Sequence, residues 1–382
     1  MYGLELRAPA RGDDRIADGY LRLARTLTGV DLKRTKRGGA SFQLFPGVRV
    51  RLELDGDEVI ARAATAGVGA GYHLAVLRAL DDVAAALELE WSEPAAERDV
   101  AVIEREMCEW VGEAIAAGTT SFGMPKHRVF RVAGAAVMTP LGPRATAWRD
   151  AVVADPAAAV DAFAWRRDEP GQLERARALH AMWQDLPWRV PLDDGERAAM
   201  KAAEADLRAA LRANRDLDMP WPDWAALCDH LDLHGKVSDA VRERAGSARA
   251  TIGYRRHDLE VDLPGGWRMV HPGAFVGGWE DDDTRYVATD GKRSVSVTTL
   301  TAEGEADPNA LLDVAPERFD VVARVGDGDR RGRAEATMDH DVRVLHGLMA
   351  IAPHVAIITV RCTPSDDPWA IATWRSLDRA NS

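Results

Sequence analysis

The spacing of apolar positions changes along the chain and predicts three segments, residues 1–120, 121–250 and 251–382. In the first, Gly3 to Arg7 alternates as a short strand, and Ile16, Tyr20, Leu23 and Leu27 recur at three and four, the spacing of one helix face. That helix is expected to open at Asp14 and to stop at Gly29, just past its last turn. Val48, Val50, Leu52 and Leu54 alternate with polar residues. Asp55-Gly56 then turns the chain into Val59 to Thr65, and the pair reads as a β-hairpin. A glycine run, Gly67-Val68-Gly69-Ala70-Gly71, leads into a helix over 72–87, and a strand is expected through Leu89 and Trp91. The next helix sets Val102, Ile103, Met107, Trp110, Val111 and Ile115 inward against Glu104, Glu106, Glu109 and Glu113.

The segment 121–250 begins with an expected strand over 128–137 and then turns helical and alanine-rich. Asp193 and Glu196 form the spacing of a capping box, and Met200, Ala203, Leu207 and Leu211 share one face of the helix that follows. Six of the twelve tryptophans fall in this segment, and Pro220 and Pro222 interrupt it between helices. In 251–382 the apolar period falls to two. Strands are expected over 259–263, around Phe275, over 285–289 and 294–300 across the turn Asp290-Gly291, and over 334–338, 342–351 and 355–362. Helices are expected over 308–319 and 368–377. Strands grouped with few helices imply antiparallel sheets covered by helices, so the fold class is α+β and multidomain, with a helical middle segment.

Composition supports a folded chain and narrows its partners. At 382 residues the chain exceeds one ordinary core, and 46% apolar with 29% charged residues is the balance of a globular protein. No run approaches the roughly 18 apolar residues of a membrane span, and the opening residues lack an apolar leader, so a cytoplasmic location away from the membrane is expected. Cys108, Cys228 and Cys362 form no CxxC pair and read as reduced core thiols. The formal charge of −12 disfavours nucleic acid. Residues 251–382 carry 22 acidic and 15 basic side chains, a net of −7, so a protein partner would be a basic one. Oligomeric state is left open.

Candidate chemistry is sparse. Gly67, Gly69 and Gly71 stand before a helix, where backbone amides can cradle a phosphate. The preceding strand is half of a hairpin and the spacing falls short of the dinucleotide fingerprint, so a ligand-free tight turn is the preferred reading. His230 and His234, beside Cys228 and Asp229, are spaced to share a helix face as weak metal candidates, but no further ligands accompany them and no metal or other cofactor is expected. Asp339, His340, Asp341, His346 and His354 gather near a strand end and read as a solvated hairpin. Lys33, Arg34, Lys36 and Arg37 make the densest basic run, either a charged loop or a seat for an anionic ligand or segment. Trp183 and Trp188 flank Pro187, and Trp221 and Trp224 flank Pro222. These rings mark seams between elements, as pins for helix ends or as a partner groove.

The last segment resembles the DcrB-like domains of the PsbP-like α/β fold. The resemblance rests on Leu263-Pro264-Gly265-Gly266-Trp267 after a first strand, the strand pair Val287 to Leu300, the helix of 307–319, the long hairpin and the closing Trp374-Arg375-Ser376-Leu377. It implies a binding module like the photosystem assembly factors, lipoproteins and Eag-type chaperones of type VI secretion effectors. The chain departs from the lipoproteins in lacking a lipobox, and shows no obvious apolar surface for a transmembrane segment. Residues 1–250 resemble an uncharacterised bacterial family, in Met138-Thr139-Pro140-Leu141-Gly142-Pro143-Arg144 and Pro187-Trp188-Arg189-Val190-Pro191-Leu192, which implies no activity.

The function expected from these readings is that of a non-catalytic protein-binding adaptor, chaperone or immunity-type protein, tied to a bacterial secretion, toxin or defence locus. The alternative is an enzyme with a pocket between the first two segments, using the turn Gly67 to Gly71 with His73, Lys126 and His127.

Overall fold

The computed structural model describes residues 3–10, 15–27, 30–35, 38–92, 98–122, 130–139, 141–280, 284–303, 307–313 and 315–379. Asp14, Gly29, Lys36, Arg37, Lys126 and His127 lie outside them. The fold is α+β; the pairings between its strands are antiparallel, and one isolated bridge, Ser121 to Met138, is parallel. The chain divides into two compact units: 1–126, 135–185 and 199–252 form the first; 127–134, 186–198 and 253–382 form the second. The segments 1–120 and 121–250 thus contribute mainly to one unit.

The first unit opens with β1 (Gly3–Pro9), α1 (Arg15–Thr26), β2 (Lys33–Arg34), β3 (Ala40–Phe45), β4 (Val48–Asp55) and β5 (Glu58–Ala64), paired in the order β1-β5-β4-β3-β2. Alternation sends Leu4, Leu6, Val50, Leu52, Val59 and Ala61 to one face, where α1 and α2 (Ala70–Leu87) bury them. β3 is not expected from sequence because a bulge between Phe42 and Phe45 breaks its alternation. The strand expected through Leu89 and Trp91 does not form. Glu88 turns left-handed at φ 54°, Leu89 N donates to Ala84 O, and Trp91 Nε1 donates to Leu80 O, so both apolar residues fold back on α2.

After α3 (Val100–Ala116), the strand expected over 128–137 is two. β6 (Phe130–Val132) belongs to the second unit, while β7 (Val137–Thr139) pairs with β8 (Gly142–Arg144). The turn at Ala133-Gly134, with Gly134 at φ 76°, separates them. The remaining helices are α4 (Thr146–Ala154), α5 (Gln172–Gln184), α6 (Asp194–Ala213), α7 (Trp221–His230) and α8 (Lys236–Ala245). The capping box at the start of α6 forms: Asp193 Oδ1 accepts from Glu196 N at 2.8 Å, and Glu196 reaches back to Leu192 N.

The second unit continues with β9 (Asp258–Asp262), β10 (Trp267–Pro272), β11 (Val276–Glu280), β12 (Arg285–Thr289), β13 (Ser294–Thr301), α9 (Pro308–Asp313), β14 (Asp320–Asp327), β15 (Arg330–Asp339), β16 (Val342–Ile351), β17 (His354–Cys362), α10 (Asp367–Arg375) and β18 (Asp378–Arg379). Phe275 lies in the turn between β10 and β11, not within a strand. α9 stops at Asp313, so 315–319 are not helical, and β14 adds a strand that sequence did not suggest. Seven strands pair in the order β11-β12-β13-β17-β16-β15-β14, and four in the order β18-β10-β9-β6. Val295, Val297, Leu345, Met349, Ile358 and Val360 face inward with Trp267, Met269 and α10. Trp374 fits because Gly332 and Gly347 leave room: a Cβ at Gly347 would stand 2.3 Å from its ring. Its indole N–H donates to Leu348 O at 3.2 Å.

Candidate binding face

Because side chains alternate, the seven-stranded sheet has a second face made of the positions between the core residues. One cross-strand row there is Val287, Ser296, Thr359, His346 and Glu335, and the next is Arg285, Thr298, Ile357, Leu348 and Arg333. A third brings Leu300 beside Val355 and Ala350.

This face is covered on one side only. Over β15 and β16 lie α9 and residues 315–319, anchored by a buried ion pair. Glu335 Oε2 accepts from the amides of Arg318 at 2.8 Å and Phe319 at 3.0 Å, and its Oε1 is 2.8 Å from Arg333 Nε. Arg333 also donates to Ala315 O, and Phe319 stacks on His346. Burial alone would raise the Glu335 pKa, but the two amides and the guanidinium hold it below the usual carboxylate range.

Over β13 and β17 the cover ends. Leu300 is 54% exposed and Ile357 39%, with Val355 half-buried between them in the weave. After β13 the chain carries exposed Glu303 and Asp307, and α9 ends at exposed Asp313. Ala302 N donates to Pro353 O and Thr301 Oγ1 lies 2.9 Å from His354 Nδ1, which fixes the end of the strand pair carrying Leu300. The arrangement is an open aliphatic strip, with Arg285 in the cross-strand row of Ile357. It can hold an apolar segment of chain.

The residues singled out from sequence are scattered. Gly69 and Gly71 serve the close approach of 163–167: a Cβ at Gly69 would lie 2.4 Å from Trp165 O. Gly71 N donates to that carbonyl and Trp165 N donates to Val68 O, so the turn beginning at Gly67 holds the chain's own backbone. His73 is buried, its Nδ1 3.0 Å from Thr65 Oγ1. Lys33 and Arg34 lie on an edge strand, not in a loop; Lys33 pairs with Asp31 at 3.1 Å and Arg34 covers the Tyr20 ring. Trp183 and Trp224 are fully buried and Trp188 nearly so, with Arg256 over its ring. Trp221, stacked on Trp224 and topped by Arg244, keeps part of its ring in solvent.

His230 ends α7 and Asp232 turns left-handed at φ 55°, so His234 leaves the helix and the shared face is lost. His234 instead bonds Asp232, both well exposed. Among the described residues no group of three His, Cys, Asp or Glu is placed to hold a metal ion. His340 bonds Asp339 at the exposed hairpin tip. Cys108, Cys228 and Cys362 are buried free thiols, their pKa values pushed up to about 11 by burial.

One buried polar pair has no signal in the sequence. His271 Nδ1 donates to Pro272 O at 2.8 Å, so Nε2 accepts from the Tyr286 hydroxyl at 2.9 Å. Burial lowers the His271 pKa and lifts Tyr286 to about 12, which keeps the pair neutral inside the core.

No protein-family model matches the chain, and no curated protein matches its sequence. Among the described residues no helix is long and apolar enough to cross a membrane.

Proposed function

We infer that the protein is a non-catalytic cytoplasmic binding protein, and that its second unit holds a segment of a partner protein on the open side of the seven-stranded sheet. The carrying observation is the uncovered strip of Leu300, Val355 and Ile357 beside the covered half of the same face. Exposed aliphatic side chains on a sheet cost solubility, and such patches mark interaction sites. The acidic balance of residues 251–382, 22 acidic against 15 basic side chains, favours an apolar segment flanked by Lys or Arg, in keeping with the net charge of −12. Likeness of 251–382 to the DcrB-like binding modules supports the same reading, and adaptor, chaperone and immunity roles all share this operation.

The test is capture from the cytosol of the native organism with the full chain and with a Leu300→Asp, Ile357→Asp variant. A partner retained by the parent and by a Leu21→Asp control on α1, but lost by the double variant, is the expected result. A partner held equally by all three would remove the face from the account.

A further inference from the structure

The five-stranded sheet of the first unit also has a face turned away from its helices, and its chemistry is ionic. One cross-strand row reads Lys33, Ser41, Arg51, Arg62 and Glu5. Arg51 and Arg62 thus stand directly opposite each other in an antiparallel pair, where Cβ atoms are about 5 Å apart and like charges destabilise. Arg62 is compensated: its Nε meets Glu5 at 2.8 Å and its Nη1 meets Glu53 at 3.3 Å. Arg49, two residues from Arg51 on the same face, meets Asp31 at 2.6 Å. Arg51 is exposed and has no hydrogen bond or ion pair among the described residues.

Over this face lies a concavity of about 840 Å³, in the size range of small-molecule sites. Arg49, Arg51, Arg62, Glu5 and Glu53 supply its charges, an excess of one positive. Gly3, Gly47, Val48 and Ala64 supply a floor of small apolar groups. The uncompensated guanidinium therefore faces a hollow that is otherwise electrically balanced.

We propose that this pocket binds a small organic monocarboxylate, its carboxylate on Arg51 and its apolar body over Gly3, Gly47 and Ala64. A guanidinium fork matches a carboxylate in two parallel hydrogen bonds. The single excess charge selects a monoanion, because Glu5 and Glu53 repel the second charge of a phosphate dianion. The bound carboxylate gives Arg51 the counter-charge that Arg62 and Arg49 already have. This site is independent of the strip on the second unit.

The experiment is titration of the isotopically labelled full chain with benzoate, and separately with inorganic phosphate, followed by backbone amide shifts. Saturable benzoate shifts at β4 and β5 are expected, with phosphate weaker. Arg51→Gln should weaken benzoate by about tenfold or more, as loss of a charge-assisted pair does, while Arg22→Gln on α1 leaves it unchanged. Without ligand, Arg51→Thr should melt no lower than the parent. Absence of saturable shifts, phosphate binding more tightly than benzoate, unchanged affinity in Arg51→Gln, or a lower melting point in Arg51→Thr would each overturn the proposal.

Discussion

The two large sheets bury one face each and differ in what they leave on the other. The five-stranded sheet carries a lattice of arginines and glutamates, with Glu5 taken by both Arg7 and Arg62. The seven-stranded sheet mixes threonines and aliphatics with Arg285, His346 and the Glu335–Arg333 pair, half roofed by α9 and half open at Leu300 and Ile357. Burial of the inner faces follows from the same alternation in both, so that face explains stability and says nothing of purpose. What the second face holds separates them: paired charges leave a polar hollow suited to a small anion, and open aliphatics suit a segment of chain.

The largest effect is expected on the inner face. Trp374→Ala should destabilise the second unit by about 3–5 kcal/mol, because Gly332 and Gly347 are shaped to its ring and nothing else fills the space. A loss near zero in urea unfolding would mean that α10 does not close this core.

Next comes the roof. Glu335→Ala leaves Arg333 buried without its carboxylate and two amides without an acceptor, a change worth about 3 kcal/mol. Hydrogen exchange should show the amides of Arg318 and Phe319 losing protection first. The pH dependence has a fixed sign. A carboxylate whose folded pKa is depressed contributes stability above its unfolded pKa and loses it as pH falls through the folded value. Glu335→Gln should therefore flatten the acid limb of the melting curve, and an unchanged limb would place that charge elsewhere.

A smaller effect sharpens the reading of the first unit. Gly69→Ala forces a Cβ to within 2.4 Å of Trp165 O, at a φ of 129° that favours glycine, and should cost about 1–3 kcal/mol in urea unfolding. An unchanged midpoint would free the turn for a ligand after all.

Legibility in the sequence follows how far local pattern decides structure. The β12–β13 hairpin was plain because Val287 and Val295 to Val297 alternate around Asp290-Gly291, whose carboxylate bonds the turn amides. β14 is hard to read because Val321 and Val322 stand side by side, only Ala323 and Val325 pack on the core, and its ends are acidic. Leucines at 311 and 312 read equally well as a longer helix. The glycine turn reads as a ligand-free tight turn, and the segment packed against it, 163–167, comes from nearly a hundred residues away. The candidate strip was illegible for a different reason. Leu300, Val355 and Ile357 are apolar like the core residues beside them, and only the placement of α9 and α10 decides which set is covered.

The most direct measurement is site-specific photo-crosslinking in the native cytosol, with a photoreactive residue at position 357 and, for comparison, at position 51. A single protein crosslinked from 357 and absent from 51, through an apolar peptide carrying Lys or Arg at its flank, is the result expected. Equal crosslinking from both positions, or a captured peptide that is acidic and polar, would contradict the assignment of the open face of the seven-stranded sheet as the protein-binding surface.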